Sequence, residues 1–430
     1  MKKRGLALLM CMTVVTGLIL SGCSKSTNQT AAAAEEKEAV AEKAQVITFY
    51  GFSDWMDTEP FKEGYEEAKA EFEKENPGYT VELQSDPWGD WEQKYKTMFA
   101  AGNPADVFMV NNPDFPVFAN SGNLLDIGEY TENGYFEQFF PGVMNMYQWK
   151  DKNMAIPFTT DCRVLWYNKE LFEEAGLDPE KAPKTWEELV TYANQITEKT
   201  GKYGFGMDMG LKELPTASLY CASGSELIHV AADGTITPNV DTDEFRSYVQ
   251  TLIDMKGAYE PDYTTLDHHD VAAQFVEGQF GMIIGNSLSD TGIYEKDFWG
   301  QSLIPTMTAD TEKGSFGGGF GICVSSETKA PEAAVKFAQK LCDSKFNAKL
   351  VSDIPASQAG MDNSEFSKNP DYAVITDQIQ YAKQSMPKTL YYSEIEAAAY
   401  DAVTSIVIGG ADIEETIADL EDKITKIVEE

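Results

Sequence analysis

Asp161 and Arg163 are charged residues two positions apart, at the start of a β-branched and aromatic run that ends at Tyr167. Because side chains alternate along an extended segment, both point to the same side of the chain. Two interpretations are open: the pair holds a polar ligand, or its members form an ion pair with each other. Charged hydrogen bonds to a ligand contribute roughly 1.5–3 kcal/mol, against about 1 kcal/mol for neutral ones.

Other polar and aromatic residues follow predicted strands, at the carboxyl ends where ligands of open α/β sheets gather. They are Ser53, Asp54 and Trp55 after Val46–Tyr50, Asn111 and Asn112 after Asp106–Val110, and Asn286 and Ser287 after Gly281–Ile284. A sugar presents C–H faces that stack on aromatic rings and a hydroxyl rim that needs polar partners. These residue types therefore suit a hydroxylated ligand. For Asn111 and Asn112, the alternative role is to form an Asn-Pro turn with Pro113.

Motifs for covalent or metal chemistry are missing. The chain has no G-x-S-x-G, no G-x-x-x-x-G-K-[ST] and no H-E-x-x-H. Composition alone, with 70 acidic residues, does not exclude a carboxylate pair acting on a glycosidic bond. The segment Asp267-His-His-Asp270 is metal-like, but adjacent histidines point to different sides, and Asp270 is well placed to cap a helix. We therefore predict no catalytic residue, no metal and no cofactor.

The elements that would position these residues alternate between strand and helix. A β-α-β-α-β order from Val46 to Val110 predicts a parallel sheet with helices on both faces. After Arg163 a similar order begins: Asn168 is suited to cap a helix, and Thr185 with Glu188 forms a capping box. A chain of 430 residues exceeds one ordinary core, so two lobes are expected.

The N-terminus predicts export. Basic residues precede an apolar run that ends at Leu20, which is too short to span a bilayer as a mature helix. Leu20-Ser21-Gly22-Cys23 resembles the bacterial lipobox, which implies that residues 1–22 are a lipoprotein signal peptide and that Cys23 is lipidated. A plain signal peptide is the alternative. Residues 24–44 lack aromatic side chains and predict a flexible tether, or a frayed helix in the same role.

The net charge of the chain limits its possible binding partners, and the positions of its cysteines bear on metal binding and disulfide formation. A formal net charge of −36 argues against nucleic acid, which repels a polyanion. Apart from Cys11 and Cys23, the cysteines show no metal-like spacing. Their apolar surroundings leave two alternatives open, disulfides or buried thiols, for Cys162, Cys221, Cys323 and Cys342.

Several stretches together resemble one known family. They are Lys96–Val107 (KTMFAAGNPADV), Ala155–Pro157, Leu165–Phe172, Pro183–Glu188, Phe275–Met282 and Gly317–Gly319. Each is weak alone, but their order over most of the chain is similar to family-1 solute-binding lipoproteins of sugar ABC importers, the maltose-binding protein type. The resemblance implies an α/β, two-lobed periplasmic-binding-protein-like fold (type II), with a ligand cleft between lobes joined by hinge strands. It places an N-terminal lobe at 45–160 and 314–355 and a C-terminal lobe at 161–312 and 360–430.

The same resemblance implies a set of ligand-binding residues around the cleft. They are Ser53, Asp54, Trp55, Trp88, Asn111, Asn112, Asp161, Arg163, Asn286, Ser287, Trp299, Gly318, Gly319, Tyr392 and Glu394. Core packing is the alternative for Trp55 and Trp299, and a hinge bend is the alternative for the glycines. Relatives often carry a stacking Trp where this chain has Leu288 and Phe320, which predicts a different arrangement of rings.

The function implied by the resemblance is capture of a mono- or oligosaccharide by cleft closure, followed by delivery to the transmembrane subunits of an ABC permease. The expected protein is a monomer, lipid-anchored at the outer face of the cytoplasmic membrane, with a Gram-positive cell surface favoured over a periplasm. The principal alternative is a polyamine or another small solute on the same fold. An extracellular carbohydrate-active enzyme and a surface adhesin are more distant alternatives.

Overall fold

The computed structural model describes residues 44–429, except 211–213, 232–233, 289–290 and 352–353 and the side chains of residues 88, 89, 91 and 92. The predicted signal peptide, Cys23 and all of the tether but Ala44 lie outside the described residues. Within the part described, no helix is both long and apolar enough to cross a membrane.

The strands are mostly short, and a few long ones form the sheets. In chain order they are β1 Gln45–Phe52, β2 Tyr79–Asp86, β3 Val107–Asn111, β4 Gln148–Trp149, β5 Lys152–Asn153, β6 Ala155–Pro157, β7 Thr159–Thr160, β8 Val164–Asn168, β9 Tyr203–Phe205, β10 Ile228–Val230, β11 Ile236–Pro238, β12 Phe280–Gly285, β13 Trp299–Ser302, β14 Ser315–Phe316, β15 Phe320–Val324, β16 Ile354–Pro355 and β17 Ala382–Lys383.

Helices occur between the strands and dominate the C-terminal region. They are α1 Ser53–Met56, α2 Glu59–Glu75, α3 Trp88–Ala100, α4 Phe115–Asn120, α5 Pro141–Met146, α6 Lys169–Ala175, α7 Trp186–Thr200, α8 Ala217–Cys221, α9 Asp243–Asp254, α10 His268–Val276, α11 Pro331–Leu341, α12 Ser344–Leu350, α13 Gln358–Asn363, α14 Glu365–Lys368, α15 Ala373–Gln378, α16 Tyr392–Val407 and α17 Ile413–Glu429. Short 3₁₀ helices cover Ile127–Tyr130, Tyr135–Gln138, Lys256–Ala258, Ile293–Glu295, Pro370–Tyr372 and Ile379–Tyr381.

The first sheet has the order β2-β1-β3-β15-β6. β1 is parallel to β2 and β3, as the βαβ pattern predicts. The sheet also contains two strands outside the predicted βαβ run: β15 pairs antiparallel with β3 and with β6, so the complete sheet is mixed. The ring of Phe337 on α11 packs against Phe49 at 5.9 Å and Phe72 at 5.3 Å, which joins the sheet to its helices.

The second sheet has the order β13-β8-β12-β9. β8 lies antiparallel to both neighbours and all five of its residues are buried. Helices α7, α9 and α16 contribute to a separate hydrophobic core next to this sheet. Because each sheet has its own core, the structure is α/β with two lobes, which confirms the predicted fold class.

Local signals for helix starts are confirmed in detail. Asn168 accepts a hydrogen bond from Leu171 N, and Thr185 Oγ1 accepts one from Glu188 N. The reciprocal bond of the second cap differs from prediction, since Glu188 Oε2 accepts from Lys184 N, one residue before the cap. The cysteines in the described residues are free buried thiols.

The cap at Asn168 should contribute measurably to stability. Asn168 is 2% exposed and its Oδ1 lies 3.0 Å from Leu171 N, so alanine leaves that N–H unsatisfied. We expect Asn168→Ala to cost about 1 kcal/mol and to lower the midpoint of thermal unfolding by about 1–3 °C in circular dichroism. Asn168→Asp keeps an acceptor and should lose less. Equal midpoints for wild type and the alanine variant would contradict the role of this cap.

Candidate ligand-binding site

Two chain segments run side by side where the first sheet meets the second, and their backbones are hydrogen-bonded to each other. Phe158 N donates to Phe320 O at 2.8 Å, and Asp161 N donates to Gly318 O at 3.3 Å. Arg163 N donates to Ser315 Oγ at 2.8 Å. We call these segments, residues 158–163 and 315–320, the crossing segments, because each connects a strand of one sheet to a strand of the other.

Asp161 links the crossing segments through its side chain. One carboxylate oxygen accepts a hydrogen bond from Gly318 N, and the other accepts one from Arg163 Nη1. Arg163 also lies over the ring of Phe316, 5.6 Å from its centroid. Both charged side chains remain partly exposed, at 22% for Asp161 and 23% for Arg163. The two interpretations of this pair are therefore compatible: its members bind each other and still face open space.

Gly319 is required by the close approach of the crossing segments. Its φ of +134° is rarely adopted by residues with a side chain, and a Cβ there would lie 2.2 Å from Thr159 O. A Cβ on the neighbouring Gly318 would also be tightly placed, 3.2 Å from Asn112 Oδ1 and 3.3 Å from Asp161 Oδ1. Gly319 O accepts from Asn112 N, which holds the loop after β3 against the same segments.

A cavity of about 300 Å³ opens beside the crossing segments. It is lined by Asn111, Asn112, Pro113, Asp161, Arg163, Asp208, Leu214, Thr216, Ala217, Ser218, His268, His269, Ala272, Ile284, Gly285, Asn286, Leu288, Thr291, Phe316, Gly318, Gly319, Phe320, Tyr392 and Glu396. Residues of both sheets and of α8, α10 and α16 take part, so the cavity lies at the junction of the two lobes.

The structure brings eight of the predicted site residues together at this cavity: Asn111, Asn112, Asp161, Arg163, Asn286, Gly318, Gly319 and Tyr392. They come from five separate segments of the sequence, which the fold brings next to one another. Asn286 uses Oδ1 to accept from Leu288 N at 3.1 Å, and its carbonyl accepts from Trp166 Nε1 at 2.9 Å. It therefore shapes the loop that lines the cavity.

Other predicted residues lie away from the cavity lining. Trp55 is 6% exposed and packs against Phe158 and Phe320, each at 5.7 Å. Trp299 packs against Trp166 at 5.3 Å. In both cases the structure agrees with the packing alternative. Ser53 and Asp54 begin α1, and Glu394 is exposed on the first turn of α16. Ser287 is buried, and its carbonyl accepts a hydrogen bond from the hydroxyl of Tyr294. The side chain of Trp88 lies outside the described residues.

His268 and His269 line the cavity, which the sequence did not indicate. Asp267 caps α10 and Asp270 completes the capping box, so the predicted helix cap is present but is centred on Asp267. The two imidazole rings lie 4.0 Å apart. Burial, helped by the positive charges of His269 and Arg163, lowers the pKa of His268 to about 4, so its imidazole is neutral at physiological pH.

Asp208, Phe316 and Glu396 are further lining residues that the sequence prediction missed. Two signals could have identified them. Asp208 follows β9, and strand ends are where site residues gather. Glu396 is four residues after Tyr392 on α16 and so shares its face. Phe316 had no such signal, because only its contact with Arg163 places it at the cavity.

Across the described residues there is no group of three or more His, Cys, Asp or Glu side chains arranged to hold a metal ion. The cavity instead offers hydrogen-bond donors, acceptors and the rings of Phe316, Phe320 and Tyr392. This arrangement can bind a polar molecule with apolar faces.

Glu260 is a buried carboxyl group close to Asp208. It is 3% exposed, and burial raises its pKa from 4.5 to about 7, although the backbone N–H groups of Glu260 and Met207 oppose this shift. The negative charges of Asp208 and Asp262 raise it further. The folded protein therefore holds this proton more tightly than the unfolded chain does, and the associated stability is lost as pH rises from about 4.5 through about 7.

Replacing Glu260 should stabilise the protein only where the carboxylate is ionised. We expect Glu260→Gln to raise the free energy of unfolding by on the order of 3 kcal/mol at pH 8.5, with little change at pH 5. Thermal unfolding of both proteins at the two pH values measures the difference. An equal shift at pH 5 and pH 8.5 would show that ionisation of Glu260 is not responsible.

Comparison with known proteins agrees with this fold. A family model of bacterial extracellular solute-binding proteins matches residues 57–344. A binding protein of Brucella abortus (strain 2308) is 26% identical over 376 residues, which cover 85% of this chain and 89% of the relative. The diacetylchitobiose-binding protein DasA of Streptomyces coelicolor is 26% identical over 299 residues, 66% of this chain and 68% of DasA.

Solved structures share the architecture. The sugar-binding protein MalE of Xanthomonas citri superposes with a TM-score of 0.76 at 21% identity, over 89% of this chain and 97% of MalE. At that identity the likeness concerns the fold, and it matches the two-lobed α/β arrangement described above. The family match, by contrast, spans more than half of the chain. The chain therefore belongs to the family of bacterial extracellular solute-binding proteins, as the resemblance in its sequence predicted.

Proposed function

We propose that the protein captures a mono- or oligosaccharide in the cavity beside the crossing segments and delivers it to an ABC permease. The observation that supports this most strongly is the composition of the cavity. Donors and acceptors from Arg163 and Asn112 stand next to the rings of Phe316, Phe320 and Tyr392. Sugars require this combination, because hydroxyl groups need polar partners while C–H faces prefer aromatic rings.

Arg163 is the residue best placed to bind the ligand directly. Asp161 and the Phe316 ring fix the orientation of its guanidinium, which has five N–H donors in a fixed fork. Asp161 accepts from one nitrogen of that fork, Nη1. Fixing the side chain in advance lowers the entropy lost on binding.

Closure of the two lobes over the sugar is the conformational step in this proposal. The lobes, 45–160 with 314–355 and 161–312 with 360–430, would move about the crossing segments and the pairing of β7 with β16. A sugar that contacts both lobes favours the closed population, because it gains those contacts only when the cleft is closed. The permease would recognise that form.

Delivery requires the binder to remain near the membrane. Lipidation of Cys23 would anchor the protein at the outer face of the cytoplasmic membrane, and residues 24–44 would act as its tether. A flexible tether of about 20 residues has a reach on the order of 25 Å, which suffices for docking on a neighbouring permease. In this role the protein acts as a monomeric carrier without enzymatic activity.

A thermal-shift screen over neutral sugars, amino sugars, polyamines and divalent metals tests this function. We expect at least one sugar to raise the unfolding midpoint, because a ligand that binds only the folded state stabilises it in proportion to its occupancy. Calorimetry then gives the affinity. A shift with a polyamine or a metal and with no sugar would refute carbohydrate binding.

The variant Asp161→Ala links that binding to the crossing segments. It removes the partner that orients Arg163, and we expect the affinity for the identified sugar to fall by about 1–3 kcal/mol. Asp419→Ala, on the exposed face of α17, is the matched control and should bind as wild type does. Unchanged affinity in Asp161→Ala would remove this residue from the site.

A further inference from the structure

The loop between β17 and α16, residues 384–391, is attached to the second lobe. Met386 is 2% exposed and lies in the hydrophobic core that contains α7, α9 and α16. Ser385 O accepts a hydrogen bond from Leu227 N at 3.1 Å, and Leu227 belongs to the same core. Movement of the second lobe therefore carries this loop with it.

Lys388, in the middle of the loop, reaches across to the first lobe. Its Nζ donates to Asn145 O and to Gln148 O, the latter at 2.7 Å. Asn145 lies at the end of α5 and Gln148 directly follows that helix, whose Val143 and Met144 are buried in the core of the first sheet. The last carbonyl groups of a helix lack partners within it, and a lysine can bind them. Lys388 thus caps α5 from the opposite lobe.

The ammonium of Lys388 is held in a place where water is partly excluded. The side chain is half-buried, and burial lowers its pKa. Removing an ammonium from water is unfavourable unless other acceptors replace the lost water. The two carbonyl oxygens of the first lobe provide this replacement, so the favourable position of Lys388 depends on contact between the lobes.

A second cavity, of about 380 Å³, lies at the other end of α5. Residues 140–143 of the first lobe form one wall, and Met361, Ile379 and Ala382 contribute to the other. Met361 packs in a hydrophobic cluster with Val164 of the second sheet, so this cavity also lies between the lobes. We call the boundary between α5 and the second lobe, with this cavity and the Lys388 bonds, the α5 seam.

The crossing segment 315–320 runs between the ligand cavity and the α5 seam. A Cβ on Gly317 would lie 2.5 Å from the Cβ of Ala382, which lines the second cavity. A Cβ on Gly318 would instead lie 3.2 Å from Asn112 Oδ1, and Asn112 lines the ligand cavity. Rotation of the lobes about this segment that narrows the ligand cavity therefore widens the seam on its other side.

We propose that Lys388 is a latch across the α5 seam that opposes closure of the ligand cavity. Its bonds to Asn145 and Gln148 form while the seam is narrow and break when the lobes close over a ligand. This role rests on the lobe closure of the proposed function, but it concerns the protein without ligand. A smaller closed population lowers the apparent affinity for any ligand that binds the closed form, so the latch sets the concentration at which the binder responds.

Small-angle X-ray scattering of the protein without ligand tests the latch. Lys388→Met keeps the length and the apolar stem of the side chain and removes the ammonium. We expect the population to shift towards the closed form, which lowers the radius of gyration relative to wild type. Lys388→Arg keeps a cation with hydrogen-bond donors and should retain the wild-type value.

Lys256 provides a matched control within one lobe. Its Nζ donates to Val407 O at 2.8 Å, so it too caps the end of a helix, but both residues belong to the second lobe. Lys256→Met removes the same kind of bond and should leave the radius of gyration unchanged. Circular dichroism shows whether each variant is folded, and Lys388→Gln, which is too short to reach both carbonyls, replaces the methionine variant if that one unfolds.

The outcomes separate the latch from the proposed function. A lower radius of gyration in Lys388→Met, with wild-type values in Lys388→Arg and Lys256→Met, supports the latch. An unchanged or larger radius in the folded Lys388 variant overturns it, and so does an equal decrease in Lys256→Met. Neither result bears on whether a sugar binds, since the failure of every sugar in the thermal-shift screen is what overturns the proposed function.

Discussion

The carboxylate of Asp161 is the interaction on which the site depends. It accepts from Gly318 N with one oxygen and from Arg163 with the other, so a single side chain fixes both the spacing of the crossing segments and the direction of the guanidinium. The backbone hydrogen bonds between the segments set their register. The Asp161 carboxylate connects that register to the charged side chain of Arg163 at the cavity. The separation of Asp161 and Arg163 by one residue in extended chain makes the arrangement possible.

Other features of the site follow from the same junction. Gly319 must lack a side chain because the segments approach too closely for a Cβ. Phe316 lies under Arg163, and Trp55 supports Phe320 from the core side, so the rings at the cavity are held by packing and not by loops alone. The neutral imidazole of His268 is explained by burial together with the positive charges of His269 and Arg163. Contacts within the protein thus hold the side chains that line the cavity in place.

Much of the fold could be predicted because its signals are local. Helix α6 begins directly after the predicted cap at Asn168, and it ends at Gly176 in the left-handed conformation that glycine adopts readily. The antiparallel insertion of β15 into the first sheet could not be predicted, because it depends on pairing between distant segments. The same limit applies to the site. Asp161 and Arg163 were visible as a local pair, whereas His268 and Phe316 became site residues only through the packing of α10 and the crossing segments.

We propose that a saccharide binds between the lobes at the crossing segments, with Arg163 held in place by Asp161. A crystal structure of the protein with the sugar found by thermal-shift screening tests it most directly. The account predicts sugar hydroxyls within hydrogen-bond distance of Arg163 and Asn112, a sugar face against Phe316 or Tyr392, and an intact Asp161–Arg163 pair. Sugar bound elsewhere on the protein, or in this cavity without contact to Arg163, would contradict the account.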